Sequence, residues 1–157
     1  MPDEEITDET LEYDRSLIGV DFEIGNHEVT KEKIANFAKA IGETNPLYLD
    51  EEAAKSGPHG VIIAPPAYYT SIHLEEGPDA NVKFGNISFN ASQHCEFFEP
   101  MREGDNISAK TQVARVYAKT GRTGAMVFAV RKTTFTNQDG RTVLIVESSN
   151  VRRNVAK

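Results

Sequence analysis

The alternation of apolar and polar residues predicts a short strand near the start of the chain and an amphipathic helix directly after it. Apolar and polar residues alternate from Gly19 to Gly25 and, more weakly, as far as Val29, a period typical of a half-buried strand. Thr30 suits the N-cap of a helix, and Gly42 suits the position just after its last turn. Between them, apolar residues recur at helical spacing, at Ile34, Phe37, Ala38 and Ile41.

The middle of the chain predicts a turn, a short helix and a buried helix. The Asn45-Pro46 pair indicates a turn, because proline disfavours helical backbone in the residue before it. Asp50 follows as the N-cap of a short helix through Lys55. The Pro65-Pro66 pair suits the opening of a second substantial helix, which runs to about Glu76. We expect this helix to be buried, because its residues are apolar or amphipathic nearly all round, at Ala67, Tyr68, Tyr69, Ile72 and Leu74.

The second half of the chain predicts four long strands. The segments rich in Val, Ile, Thr and Phe are Phe84–Phe98, Ile107–Tyr117, Ala125–Thr136 and Thr142–Val151. The turn signals between them are Glu103-Gly104-Asp105, Lys119-Thr120-Gly121-Arg122 and Asn137-Gln138-Asp139-Gly140. Strands this long need apolar surface to enclose, and the helix at 65–76 is the candidate. We therefore predict an α+β fold in which a curved antiparallel sheet wraps around this helix, with the helix at 34–41 outside.

The acidity of the chain is concentrated in its first residues. The 157 residues include 24 acids and 17 bases, which gives a formal net charge of −7. Seven of the acids lie within residues 1–14, which carry no base, so the remainder holds 17 residues of each sign. We expect residues 1–16 to form an acidic, mobile segment and residues 17–157 to form a single domain. A neutral domain with an acidic head argues against nucleic acid and anionic membranes as partners, because both bind basic surfaces.

The other reactive residue types show no arrangement typical of a metal or nucleophile site. Cys95 is the single cysteine, so no intramolecular disulfide framework is expected. It adjoins His94, but successive strand residues point to opposite faces, so we expect no metal site. The sequence contains neither a glycine-rich phosphate loop nor a nucleophile elbow. The first residues lack the basic and apolar regions of a signal peptide, and no apolar run reaches the ~18 residues of a membrane span, so we expect a cytoplasmic protein.

A set of short motifs lies in order between Leu17 and Arg153. After the first strand and helix, they are Asn45-Pro46-Leu47-Tyr48-Leu49-Asp50, Ala64-Pro65-Pro66-Ala67-Tyr68, Phe97-Phe98-Glu99-Pro100, Gly104-Asp105, Val116-Tyr117-Ala118-Lys119-Thr120-Gly121-Arg122 and Asn137-Gln138-Asp139-Gly140. Together they resemble the N-terminal MaoC-like dehydratase domain. The resemblance implies a hot-dog fold, usually assembled as a double hot dog from two subunits or two fused halves. It also implies acyl thioesters of coenzyme A or a carrier protein as substrates, with no separate cofactor.

The resemblance further implies a reaction and the place where it would occur. Relatives hydrate trans-2-enoyl thioesters or dehydrate the (R)-3-hydroxyacyl thioester, with Asp and His from an Asp-x-Asn-Pro-x-His pattern holding one water. This chain has Glu43 in place of the Asp and Tyr48 in place of the His. A phenol with an ordinary pKa of ~10 is a poor proton shuttle at neutral pH compared with an imidazole near ~6.5. Glu43 is then either a surviving acid–base group or a solvated charge.

Further residues carry two interpretations each. His59 lies in a Gly/Pro loop where relatives have a His-Gly pair, so it is either a substitute imidazole or a surface histidine. Asn45 either fixes the turn or contacts substrate, and Tyr48 either packs or lines an acyl channel. The residues that we predict to bind substrate are Asn45, Tyr48, Pro65, Pro66 and Tyr68. A small basic cluster, which either meets the phosphates of coenzyme A or remains solvated, consists of Arg152, Arg153 and Lys157.

Three functions are compatible with these residues. The first is an acyl-thioester-binding module, the catalytically degenerate half of an (R)-specific hydratase or dehydratase whose partner supplies Asp and His. The second is a self-sufficient homodimeric enoyl-CoA hydratase in which Glu43 works with another imidazole, His59 first. The third is a non-enzymatic hot-dog scaffold or acyl sensor. We expect a dimer, either homomeric or with a catalytic MaoC-like subunit, because the edge of such a sheet needs covering.

Overall fold

A five-stranded antiparallel sheet forms the body of the protein in a computed structural model that describes residues 6–156. Its strands are β1 (Phe22–Glu28), β2 (Ile87–Phe97), β3 (Asn106–Gly121), β4 (Gly124–Thr136) and β5 (Thr142–Arg153). The α-helices are α1 (Lys31–Ala40), α2 (Pro46–Leu49) and α3 (Glu51–Ser56). Two 3-10 helices are Arg15–Leu17 and Pro66–Ser71. We call Pro66–Ser71 the central helix. The face of the sheet against which it packs is called the inner face.

The strand order across the sheet is β1-β3-β4-β5-β2. The three long strands β3, β4 and β5 are joined by two hairpins, whereas β2 crosses over to pair with β5 at the edge. The second hairpin turns at the predicted Asn137–Gly140 loop, where Gly140 has a φ of +75° and donates its N–H to the carbonyl of Asn137. The predicted α+β fold, a curved antiparallel sheet around a helix, is confirmed.

Helix α1 forms as the sequence predicts, because both of its ends are capped. The Thr30 hydroxyl accepts a hydrogen bond from the backbone N–H of Lys33 at 3.2 Å. Gly42 follows the helix with a φ of +71°, which glycine adopts without steric cost. On the inward side, Ile34 and Ala38 are completely buried. Phe37 packs edge-on against Tyr68, so that α1 lies over the central helix.

The central helix is shorter and more exposed than the sequence predicts. It ends at Ser71 instead of about Glu76, and four of its six residues are exposed. Tyr68 is buried on its inner side, and Ile72 just after it is buried too. The prediction of a long helix buried all round is therefore wrong. The β-branched Thr70 and Ile72 weaken the helix, and the inner face of the sheet allows the residues after Ser71 to pack their apolar groups as extended chain instead.

Residues 73–86, which we call the strap, cover the part of the inner face beyond the central helix. Arg131 donates from Nη2 to the carbonyl of Pro78 at 2.9 Å, and Arg152 from Nη1 to the carbonyl of Val82 at 2.8 Å. Gly77 lies so close to the sheet that a Cβ atom there would collide with the side chains of Thr111 and Arg131. Close packing and two arginine side chains thus hold the strap on the sheet.

The described part of the acidic head packs on the strap. Leu11 is 5% exposed and belongs to an apolar cluster with strap residues and β3. The backbone N–H of Asp14 donates to the carbonyl of Ala80 at 2.7 Å, and that of Lys83 donates to the carbonyl of Glu12 at 2.9 Å. From residue 6 onward the head contacts the strap through these two hydrogen bonds and the buried side chain of Leu11. Residues 1–5 lie outside the described residues. None of the helices between residues 6 and 156 is long and apolar enough to cross a membrane.

Candidate functional site

An apolar cavity of about 240 Å³ lies between α2, the start of the central helix and the ends of β2 and β5. Its lining residues are Tyr48, Ile63, Ala64, Pro65, Pro66, Phe97, Phe98, Glu99, Pro100, Met101 and Leu144. The backbone N–H of Ala64 donates to the carbonyl of Met101 at 2.8 Å, which joins the two loops that form the walls. A cavity of this character accepts an apolar chain, because it has few polar groups with which to bind water.

The Asn-Pro motif positions Tyr48 in the wall of this cavity. The Asn45 side-chain oxygen accepts a hydrogen bond from the N–H of Leu47 at 3.0 Å and so caps α2. Pro46 occupies the first turn, where its missing N–H costs nothing. Tyr48 follows within the same short helix and packs, half-buried, against the main apolar core. Asn45 thus caps α2, and Tyr48 forms part of the cavity wall.

The two predicted acid–base residues lie away from the cavity. The Glu43 carboxylate accepts the backbone N–H groups of Thr44 at 2.8 Å and Asn45 at 2.9 Å, so it stabilises the turn before α2. His59 is exposed in its loop, and neither residue lines the cavity. The carboxylate that does line it is Glu99, which pairs with Arg102 and Arg141, each at 3.4 Å. The lining of this cavity thus holds no carboxylate–imidazole pair.

Tyr68, a predicted substrate-binding residue, instead bonds to a histidine in the core. Its hydroxyl lies 2.7 Å from Nε2 of His27 on β1. Burial raises the pKa of the Tyr68 phenol to about 12. The pKa of His27 is lowered, first by burial and then by the positive charge of Lys33 and by His73. Both groups are therefore neutral at physiological pH, and the pair fixes the central helix to β1.

Tyr69 reaches the other edge of the sheet. Its hydroxyl lies 3.2 Å from Sγ of Cys95 and accepts a hydrogen bond from Nε2 of Gln93 at 3.1 Å. Burial, together with the neighbouring Cys95, raises the pKa of Tyr69 to about 12. The ring of Phe97 packs edge-on at 6.4 Å between centroids. Tyr69 thus stands above the inner face of β2, next to the apolar cavity.

A second cavity, of about 360 Å³, opens on the inner face between the strap and the far ends of β2 and β5. It is polar, and its lining residues are Asp79, Ala80, Ser88, Asn90, Val113, Ala129, Val130, Arg131, Ser148, Ser149, Asn150 and Arg152. The same strand pair therefore carries an apolar cavity at one end and a polar one at the other. Arg152 of the predicted basic cluster lies here, whereas Lys157 lies outside the described residues.

Comparison with known proteins assigns the chain to a family. The family model for the FAS1-like, dehydratase domain region matches residues 16–146. The chain belongs to this dehydratase family. A UPF0336 protein of Streptomyces coelicolor is 31% identical to it over 118 residues, which cover 71% of this chain and 78% of the relative.

Solved structures show the same MaoC-like hot-dog architecture. One is the HadBC (3R-hydroxyacyl-ACP dehydratase) complex from Mycobacterium tuberculosis, with a TM-score of 0.66 and 20% identity over 88% of this chain and 98% of that one. Another is the ChsH1-ChsH2 complex from the same organism, with a TM-score of 0.70 and 18% identity over 88% of this chain and 85% of that one. The likeness establishes the fold of this domain and confirms the resemblance seen in the sequence.

The structure brings some of the predicted substrate-binding residues to the apolar cavity and places others elsewhere. Of the predicted substrate-binding residues, Tyr48, Pro65 and Pro66 line the apolar cavity, whereas Asn45 and Tyr68 do not. Sequence reasoning gave no weight to His27 and named neither Gln93 nor Arg131. The alternation of β1 and β2 could have placed the first two on the inner face, but their partners lie far away in the chain.

Proposed function

We propose that this MaoC-like domain is the acyl-thioester-binding, catalytically degenerate half of an (R)-specific enoyl-thioester hydratase or 3-hydroxyacyl dehydratase. The observation that carries this proposal is the apolar cavity at the Asn-Pro motif, whose lining includes Tyr48 where catalytic relatives have His. The acyl chain occupies the cavity. Coenzyme A or an acyl carrier protein carries the acyl group as its thioester.

The chemistry explains why a partner is needed. Hydration adds a water oxygen at C3 and a proton at C2, and dehydration removes the hydroxyl from C3 and the proton from C2. A positioned base and acid are required for these proton transfers, and backbone N–H groups stabilise the enolate oxygen. Here the Glu43 carboxylate is already engaged by the N–H groups of Thr44 and Asn45. The partner subunit therefore supplies the Asp and His, and this chain supplies the acyl site.

The edge strand β2 is the surface for that partner. Every residue of β2 except the half-buried Cys95 is exposed. The large apolar side chains exposed on it or directly after it are Ile87, Phe89, Phe97 and Phe98. An exposed strand edge with apolar side chains pairs readily with another chain. HadBC and ChsH1-ChsH2, which share the fold, are complexes of two proteins.

We expect Phe89→Lys to disrupt this assembly. The substitution places a charge on the edge strand and removes apolar burial, which contributes about 1.5–3 kcal/mol for a phenylalanine, so association weakens about 10–100-fold. Light scattering across a concentration series measures the strength of this association. Val20→Lys is the matched control, because Val20 is also exposed but lies outside β2. A monomer at micromolar concentration that also recovers no partner on pull-down contradicts the proposed assembly.

Changes at Tyr48 test the acyl site. Tyr48→Ala enlarges the cavity, so each further methylene that it accommodates strengthens binding by about fourfold, since a buried methylene contributes about 0.8 kcal/mol. Tyr48→Trp should shift the preference toward shorter chains. Calorimetric titration with saturated acyl-CoA thioesters of increasing length measures the chain-length preference of both variants. Tyr117→Ala removes the same side chain from the opposite face of the sheet and should leave the preference unchanged. An unchanged preference in both Tyr48 variants would place the acyl chain elsewhere.

A further inference from the structure

The polar cavity beneath the strap has the side chains of an anion site. Its two cationic residues, Arg131 and Arg152, face a single lining carboxylate, Asp79, whose oxygen lies 3.5 Å from Nη2 of Arg152. The shorter bonds of both guanidinium groups go to the uncharged carbonyls of Pro78 and Val82. Each guanidinium has five N–H donors, so both retain donors for a ligand.

The remaining lining residues offer further hydrogen bonds. Ser148 lies on the inner face, opposite Arg131 of β4 and Gln93 of β2, and its hydroxyl is a further donor in the lining. The Ser88 hydroxyl donates to the side-chain oxygen of Asn150 at 2.6 Å, next to the exposed Asn90 on the edge strand. Net positive charge with hydroxyl and amide groups suits a phosphate ester.

The inner faces of β2 and β5 extend from this cavity toward the apolar cavity. Directly opposite residues, whose side chains share a face, change from apolar to polar along the pair in the order Phe97 with Leu144, Cys95 with Val146, Gln93 with Ser148, Asn90 with Asn150 and Ser88 with Arg152. Tyr69 stands over the middle of this strip through its contacts with Cys95 and Gln93. The strip offers an apolar end, hydrogen-bonding groups in its middle and a cationic end.

A phosphopantetheine arm with its acyl group has the same sequence of chemistry and a matching length. From the thiol to the phosphate its skeleton equals a little over four residues of extended chain, about 15 Å. From Val146 to Asn150 or Arg152 the strand rises about 13–20 Å at ~3.3 Å a residue. A thioester placed beside Cys95 therefore brings the phosphate to the end of the strip at Asn150 and Arg152, in the cavity that Arg131 also lines.

We propose that the polar cavity binds the phosphate of the phosphopantetheine arm, with Arg131 and Arg152 as its charged donors. The proposal rests on the proposed function for the acyl end, and it names the part of the thioester carrier that this chain recognises. Coenzyme A and acyl carrier proteins both contain this phosphate, so the site is common to the two.

The test compares S-acyl-4′-phosphopantetheine with S-acyl-pantetheine of the same chain length by calorimetry on the full chain. We expect the phosphorylated compound to bind at least tenfold more tightly, because charge-assisted hydrogen bonds to two guanidinium groups are lost without the phosphate. Asn90→Asp places a carboxylate in the cavity and should abolish the difference. The arginines themselves are left intact, because they hold the strap. Asn26→Asp, on the exposed side of β1, adds the same charge elsewhere and should preserve the difference.

The outcomes separate the two proposals. Equal affinity for both compounds overturns the phosphate site while the acyl site stands. Loss of affinity for both, with binding of 4′-phosphopantetheine alone that Asn90→Asp abolishes, overturns the proposed function and retains the phosphate site. Titrations with acyl-CoA and with the acylated carrier protein then show which carrier binds more tightly than S-acyl-pantetheine. If neither carrier binds more tightly, the phosphate site is overturned.

Discussion

The purified chain alone is expected to hydrate trans-2-enoyl thioesters at least 100-fold more slowly than its complex with a catalytic MaoC-like subunit, because a positioned acid–base group contributes ~10²–10⁴ in rate. The apolar cavity has Tyr48 in place of the proton-transferring imidazole, and its one carboxylate, Glu99, is paired with two arginines. The loss of absorbance of the enoyl thioester measures the hydration rate. It is followed with the chain alone and again after the partner is added.

Substitutions in this chain separate the competing functions. Glu43→Gln keeps an oxygen that can accept the N–H groups of Thr44 and Asn45, so the turn should survive while any proton transfer is lost. In the degenerate half, Glu43→Gln and His59→Ala should leave the activity of the complex within about twofold, because neither residue takes part in the proton transfers. Rapid turnover by the lone chain that either substitution abolishes would establish the self-sufficient hydratase instead. Thioester binding without turnover in any pairing would favour the acyl sensor.

Leu11→Ala should lower the free energy of unfolding by about 2–5 kcal/mol, the usual cost of emptying a buried leucine site. Leu11 packs in the apolar cluster that includes Ala80 and Val82 of the strap. The effect is therefore a loss of contact between the acidic head and the strap, as well as a cavity. Urea unfolding at fixed protein concentration measures the change, since association would otherwise shift the midpoint.

Glu9→Ala is the control for this experiment, because Glu9 lies in the same segment and is exposed. It removes a carboxylate from the head without emptying a buried site, so the midpoint should move little. If Leu11→Ala behaves like Glu9→Ala, the head is only loosely held, as its charge alone suggests.

The elements that the sequence predicts correctly are those decided by neighbouring residues. Helix α1 carries its own cap at Thr30 and its own stop at Gly42, and the loop at Asn137–Gly140 carries its own turn residues. The prediction of the central helix is wrong because its end is decided by residues distant in the chain. Tyr68 and Ile72 are spaced four residues apart, as suits a helix, but Ile72 and the partly buried Leu74 pack as extended chain against the inner face of the sheet. Nothing near them in the sequence specifies that face.

The residues of the candidate site show the same difference between local motifs and contacts of distant segments. The resemblance to the MaoC-like domain predicts Tyr48, Pro65 and Pro66 as substrate-binding residues, because each lies within a recognisable local motif, and all three line the apolar cavity. The contact between His27 and Tyr68 depends on where β1 meets the central helix, and the polar cavity depends on how the strap crosses the sheet. Such contacts between distant segments are fixed by tertiary packing, and no short window of sequence contains them.

The crossover of β2 has a consequence for the order in which the chain folds during synthesis. Ile87 pairs with Arg153 and Phe97 with Leu144, so β2 gains its neighbour only after β3, β4 and β5 have followed it from the ribosome. Pairing between segments so distant in the chain is slow, because a long loop must close first. Until then both edges of β2 and its phenylalanines are uncovered, which makes the nascent chain prone to aggregate. Synthesis close to the proposed partner subunit would shorten that interval.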